Sequence, residues 1–285
     1  MREVAPRPED PTSGHPGDEP AGARAVRVQR LARGAAADLD WVAVEEPLEI
    51  RVERRPFAIT LRTPGHDREL ALGFLLAEGV IDSLADVGSL GVEAAPPDAV
   101  ARGERVEVTL GEPALDRWAR RKVERELRVT SACGACGKPT LEDLWGGVGG
   151  KVAPIDLDPA MVPSLLHEMQ VRQILFQRTG GIHAAAAFDP TGRCLGVFED
   201  IGRHNAVDKL VGSLADRPQP LAGSILVVSG RAGFEIVQKA AMAGAPVLVA
   251  VGAASSLAVE LAVEAGMELL CFAGSPGAHR HLGPA

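Results

Sequence analysis

The sequence predicts an α/β protein: a C-terminal parallel or mixed sheet with helices on both faces, preceded by a smaller α+β domain. Three observations carry this. From Ile182 to Phe272, short apolar runs alternate with helical patterns, as expected of strands covered on both faces. From Ala25 to Leu61, short β-like runs are separated by polar or Pro-containing breaks. Between the two regions, Gly146-Gly147-Val148-Gly149-Gly150 reads as a hinge and domain boundary.

In chain order, residues 1 to 24 are rich in Pro, Gly and charge with almost nothing to bury, and read as a disordered tail. The domain expected from 25 to 150 begins with strands at Ala25 to Leu31, Leu39 to Val44, Leu48 to Val52 and Phe57 to Leu61. Asp67 is placed to cap a helix from Arg68 to Glu78, which Gly79 stops. A strand follows at Val106 to Leu110, then a helix from about Pro113 to Leu127. That helix ends in a basic run, with Arg117, Arg120, Arg121, Lys122, Arg125 and Arg128 against Glu124 and Glu126. It reads either as a solvated face or as a docking patch for an acidic or phosphorylated partner.

The domain expected from 151 to 285 opens with a helix whose first turn lies at Asp158-Pro159 or at Pro163 and which runs to about Arg178. Strands at Ile182 to Asp189 and Cys194 to Glu199 flank the turn Pro190-Thr191-Gly192. Helix Arg203 to Leu214, strand Ser224 to Ser229, helix Phe234 to Ala243, strand Val247 to Val251, helix Leu257 to Ala265 and strand Glu268 to Phe272 complete the series. In such sheets, ligands bind beyond the carboxyl ends of the strands.

Composition excludes several classes. Thirty Lys and Arg against 38 Asp and Glu leave a net charge of -8, which disfavours a general nucleic-acid binder. No apolar run reaches the ~18 residues of a membrane span, and no secretory signal follows the first Met, so a cytoplasmic location is expected. Four cysteines in 285 residues are too few for a disulfide framework and suit thiol chemistry in a reducing compartment.

Cys133-Gly134-Ala135-Cys136 is the sharpest chemical feature. A CxxC serves as a redox pair, as half of a zinc site, as a sulfur carrier, or as no chemistry at all, and spacing alone does not choose. Cys194 and Cys271 stand singly inside apparent strands and read as small core residues. His183 follows a glycine pair at the edge of the sheet, either as a hydrogen-bonded structural residue or as a site residue. The segment from Glu199 to Asn205 places two carboxylates, Arg203 and His204 at a strand end leading into a helix. Ser229-Gly230-Arg231 occupies the same kind of position and suits an anion. Neither a GxGxxG nor a P-loop pattern is present. Zinc deaminases place a His-x-Glu upstream of Pro-Cys-x-x-Cys, but here the CxxC comes first and His183 is followed by Ala184-Ala185, so the proton-shuttling Glu is missing.

Five segments occur in order: RTPGHDRELALGFLLAEGVI (62–81), SACGACGK (131–138), TGGIHAAAAFD (179–189), EDIGRHNAVDKLVG (199–212) and SGRAGFEIVQKAAMAGAPVLVAV (229–251). Together they resemble the formate dehydrogenase accessory sulfurtransferase family, FdhD. The resemblance implies a sulfurtransferase that accepts sulfane sulfur from a cysteine desulfurase. It implies delivery of that sulfur to the bis(molybdopterin guanine dinucleotide) molybdenum cofactor before the cofactor enters formate dehydrogenase. Cys133 maps to the persulfide-carrying cysteine and Cys136 to its partner. The C-terminal domain is expected to be cytidine deaminase-like, and the protein a homodimer with no metal of its own.

The resemblance further implies cofactor binding through Phe272, Ala273, Gly274, Ser275, Pro276 and Gly277. This chain departs from the family there, with Gly274 where an Arg is usual and no Tyr anywhere, and Arg280 is a candidate replacement for the missing charge. Arg203, Arg231, His183 and His204 are the further candidates for holding a phosphate-bearing ligand. A non-catalytic molybdenum-cofactor chaperone and a zinc-binding protein using Cys133, Cys136 and His183 are the alternative readings.

Overall fold

The computed structural model describes residues 21–29, 31, 37–94, 103–125, 152–274 and 278–283. The expected tail up to residue 20, the CxxC segment with Cys133 and Cys136, the glycine hinge, and Ser275, Pro276 and Gly277 lie outside the described residues.

The apolar runs of the first half form two sheets. Strands β1 (Ala23–Gln29) and β2 (Ala37–Ala43) pair as an antiparallel ribbon, so the last two residues of the expected tail, Ala23 and Arg24, already belong to a strand. Strands β3 (Glu46–Val52), β4 (Arg55–Arg62), β5 (Val87–Ala94) and β6 (Glu104–Leu110) form a four-stranded sheet in the order β4-β3-β6-β5. Alternation sorts its residues by face. Leu48, Ile50, Val52, Val106 and Val108 are fully buried against α1 (Asp67–Ala77), each contributing about 1.5–3 kcal/mol by leaving water. The opposite face carries an ionic lattice in which Arg51 joins Glu49 and Glu107, and Arg105 joins Glu49.

Asp67 does not cap α1 as expected. The N-cap is His66, in a left-handed conformation with no side-chain bond, and Asp67 is the first helical residue. Its carboxylate instead accepts from the fully buried Arg62, Nε at 2.7 Å and Nη2 at 3.1 Å. A buried guanidinium left unpaired costs more than a missing cap, so the tertiary contact takes the side chain. Helix α2 (Ala114–Arg125) opens the basic run, and Arg117 is neutralised internally by Asp86 at 2.7 Å and Asp82 at 3.1 Å. The other five basic side chains of that run lie outside the described residues.

The second half is one six-stranded mixed sheet, ordered β12-β11-β10-β9-β7-β8, built from β7 (His183–Phe188), β8 (Cys194–Asp200), β9 (Ile225–Val228), β10 (Val247–Ala250), β11 (Glu268–Cys271) and β12 (His279–His281). The expected helix to Arg178 divides at Gln173 into α3 (Val162–Arg172) and α4 (Ile174–Thr179). Strands β9, β10 and β11 run parallel, whereas the tight turn at 190–192 makes β7 antiparallel to both β8 and β9. Helices α5 (Arg203–Ser213), α6 (Phe234–Met242) and α7 (Ser256–Glu264) cover one face with α1, and α3 covers the other. Both faces are thus clothed in helix, as the sequence predicts.

The two halves share one core. Leu48 and Val106 of the small sheet belong to the same buried cluster as Leu226 and Leu248 of the large one. The weld is the crossing of α1 and α5, where backbones touch. A Cβ on Gly73 would lie 1.9 Å from the Asp208 carbonyl oxygen, and one on Gly212 would lie 1.8 Å from that of Glu69.

Candidate functional site

Strand direction decides where the polar residues meet. β8 runs parallel to β9, β10 and β11, and β7 runs against them, so one edge of the sheet gathers four carboxyl ends and the start of β7. Asp200, Ser229, Val251 and Phe272 end or follow those four strands, and His183 opens β7 opposite Asp200. Because β12 returns antiparallel, with His279 opposite Cys271, its first residue joins the same edge.

Backbone bonds lace the loops there into a floor. Gly252 N donates to Gly230 O at 2.9 Å, and Phe272 N donates to Gly252 O at 3.1 Å. The pairing of the parallel strands therefore continues one step past their ends. Two arginines rest on this floor. Arg203 Cδ and His183 Nδ1 each lie 3.6 Å from where a Cβ on Gly230 would stand. Arg231 Cγ is 2.9 Å from the corresponding point on Gly252, so only glycine leaves that side chain its path.

Neither arginine is neutralised by an acid among the described residues. Arg203 Nε is buried with no hydrogen-bond partner there, and Arg231 is exposed. A buried guanidinium donor with no partner gains from an acceptor that a ligand can supply. Between the arginines and β7, Ser229 Oγ accepts from Ala184 N at 2.9 Å and stands 3.5 Å from His183 Nδ1. Burial, then the charges of Arg203 and His204, push the His183 imidazole below its ordinary 6.5, so it is neutral at pH 7.

The rest of the segment from Glu199 to Asn205 turns inward. Glu199 accepts from Leu175 N at 2.9 Å and Phe176 N at 2.8 Å, capping α4. Asp200, fully buried, accepts from Thr63 N, Gly202 N and Asn205 Nδ2 and pairs with Lys209 at 2.8 Å. Asn205 accepts from Thr60 Oγ1 and donates to Leu61 O, and Lys209 donates to Thr63 O. These side chains clamp the end of β4 to the large sheet, and Asp200 has no surface from which to exchange a proton with a ligand. His204 Nε2 lies 2.9 Å from Glu235.

At the far end of the edge, Phe272 adopts φ +55 and is 38% exposed, its ring edge-on to His279 at 5.1 Å. Ala273 is buried beneath it and Gly274 is exposed. Arg280 does not supply a free charge here. Its Nε is 2.8 Å from Glu268, because both residues point to the same side of the β11–β12 pair. Cys271 is fully buried and its thiol is pushed up to about 11 by burial, consistent with a core role; Cys194 is only partly buried but also packs against the core. Among the described residues, no group of three His, Cys, Asp or Glu side chains is arranged to hold a metal ion. No helix there is long and apolar enough to cross a membrane.

The structure thus brings His183, Arg203, Arg231 and Phe272 to one edge, with His204 behind them. Gly252 and Glu235 were not singled out from the sequence. Gly252 carried a signal, since it follows β10 just as Gly230 follows β9; Glu235 carried none, because its partner is 31 residues away and on another helix.

By fold and site this is a mixed α/β protein with a basic, glycine-floored crevice at the carboxyl ends of its strands. Residues 43–279 match the FdhD/NarQ family, and the chain belongs to it. It is 46% identical over 238 residues to the sulfur carrier protein FdhD of Corynebacterium efficiens, spanning 82% of this chain and 86% of that one. The Streptomyces coelicolor protein of the same name is 44% identical over 252 residues, spanning 86% and 89%. The fold matches the crystal structure of a formate dehydrogenase accessory protein from Desulfotalea psychrophila with a TM-score of 0.66, covering 92% of this chain and 96% of that one at 21% identity.

Proposed function

We propose that this protein is a sulfur carrier, and in that sense a sulfurtransferase, that serves the maturation of formate dehydrogenase. Family membership and the shared name of its relatives support the carrier role. The structural observation that carries the choice of recipient is the pair of arginines, Arg203 and Arg231, on the glycine floor beside His183, neither of them paired with an acid among the described residues. Such a crevice suits the diphosphate of a guanine dinucleotide, and the exposed Phe272 ring offers a surface for a base to stack on. The substrate held there is the bis(molybdopterin guanine dinucleotide) cofactor. The segment Phe272, Ala273, Gly274, Ser275, Pro276 and Gly277 contributes to holding it.

Sulfur moves in two balanced steps. The Cys133 thiolate attacks the terminal sulfur of a cysteine desulfurase persulfide, taking that sulfur as Cys133–S–SH and releasing the donor thiolate. Next, the Cys136 thiolate attacks Cys133 Sγ, forming the Cys133–Cys136 disulfide and expelling the terminal sulfur as hydrosulfide toward the molybdenum centre. The two electrons come from the thiols, so a thiol reductant must restore the pair before the next cycle. His183, neutral at pH 7, is the described group at the crevice best suited to hold a proton during release. A likeness of the C-terminal sheet to cytidine deaminases belongs to this reading as a relation of fold alone, since Ala185 stands where their glutamate would act. A homodimer in the cytoplasm is the expected working form.

The test replaces both thiols. Cys133→Ala with Cys136→Ala should abolish activation of a formate dehydrogenase in cells lacking the native carrier. Full activation by that variant would instead favour a cofactor chaperone that merely shields its cargo.

A further inference from the structure

Helices α5 and α6 are joined by two ionic rungs spaced four residues apart on each helix. The inner rung is Asp208 with Lys239, at 2.7 and 2.9 Å and buried. The outer rung is His204 with Glu235, at 2.9 Å, each about one-fifth exposed. The outer rung lies in the first turn of both helices. Arg203 is the residue before His204, and Arg231 lies in the loop that leads into Phe234 and Glu235. The arginines themselves rest on different glycines at neighbouring strand ends, Arg203 on Gly230 and Arg231 on Gly252, and as two like charges they do not hold each other in place.

We propose that Glu235, acting through His204, is a positioning residue that fixes the spacing of Arg203 and Arg231 so that both engage one diphosphate. The inference rests on the reading of the crevice as a guanine dinucleotide site, and it reassigns His204 from ligand contact to support. With Nε2 committed to Glu235, the His204 ring braces the α5 terminus against α6. A ligand held by one arginine is indifferent to that brace. A ligand that spans both arginines loses alignment when the brace goes, and small misplacements of paired contacts are costly.

The experiment is calorimetric titration of the full chain with GDP, inorganic pyrophosphate and orthophosphate, with a melting curve for each variant. Glu235→Ala should weaken GDP and pyrophosphate binding about tenfold or more while changing orthophosphate binding less than about twofold. Glu235→Gln, whose amide oxygen still accepts from the ring, should restore most of the loss. His204→Ala and the double variant His204→Ala, Glu235→Ala should cost no more than Glu235→Ala alone, because the two residues act as one unit. If Glu235→Ala does not fold, His204→Gln reads the same split. Unchanged pyrophosphate affinity, equal loss for orthophosphate, or additive costs would overturn the positioning role while leaving the nucleotide site intact. A wild-type chain that binds neither GDP nor pyrophosphate would overturn the site reading and the positioning role together.

Discussion

Gly73 and Gly212 meet where α1 crosses α5, and a Cβ on Gly212 would lie 2.8 Å from the Gly73 nitrogen. This contact joins the half of the chain that leads to the CxxC segment to the half that carries the basic crevice. Neither glycine accepts a methyl without parting the helices, since the obstacles are backbone atoms. Overpacked cores lose about 1–3 kcal/mol, and backbone obstacles place this site at the upper end or beyond. Gly212→Ala and Gly73→Ala should each lower the urea midpoint by an amount corresponding to about 3 kcal/mol, or prevent folding. A midpoint equal to wild type would mean that the helices separate freely and the weld is not structural.

The inner rung of the α5–α6 ladder predicts a different pattern. Burial pushes the Asp208 carboxyl up, against the pull of Lys239, so the pair is costly to bury and costlier to break. Lys239→Met alone should destabilise by about 3–5 kcal/mol, and adding Asp208→Leu should recover much of that. Denaturation of the single and double variants measures the coupling. Purely additive losses would contradict the pairing.

His183 gives the pH prediction. Its folded pKa lies below 6.5, through burial first and the Arg203 and His204 charges second. The unfolded chain therefore binds a proton near its ordinary pKa that the folded chain refuses. Stability rises with pH through that region and is lost as pH falls below about 6.5. The urea midpoint should drop between about pH 7.5 and pH 5.5, and His183→Asn should shrink that drop. A variant with the same pH slope as wild type would place the titration elsewhere.

The crevice predicts graded ligand effects. Arg203→Ala and Arg231→Ala should each weaken GDP binding by about tenfold to a hundredfold, since each removes a charge-assisted fork. Phe272→Ala should weaken GDP binding but spare pyrophosphate, because a ring stacks on a base and not on a phosphate. Equal losses on both ligands would argue that Phe272 shapes the loop instead.

The strands and helices from His183 to Cys271 were legible because their apolar periodicity is local. Their meeting edge followed from the rule that ligands bind beyond strand carboxyl ends. That rule brings Arg203 and Arg231 to one edge but not His183, which opens β7 and reaches the edge only because that strand runs against its neighbours. It could not divide the segment from Glu199 to Asn205, because what each polar side chain does depends on distant partners. Glu199 caps a helix 24 residues earlier, and Asn205 reaches back 145 residues to Thr60. Asp67 carried a good capping signal, but Arg62 claimed it. Strand β12, His279–His281, is three polar residues long and shows no pattern until β11 lies beside it. The close approach at Gly73 and Gly212 leaves no local trace, since a glycine inside a helical pattern looks only like a weak helix former.

The central claim is that sulfur travels on Cys133. Incubation of the full chain with a cysteine desulfurase and cysteine, followed by peptide mass mapping without reductant, tests it directly. The account predicts one added sulfur atom on the peptide containing Cys133 and Cys136, lost in Cys133→Ala. Absence of any added sulfur on that peptide, or sulfur appearing on Cys194 or Cys271 instead, would contradict it.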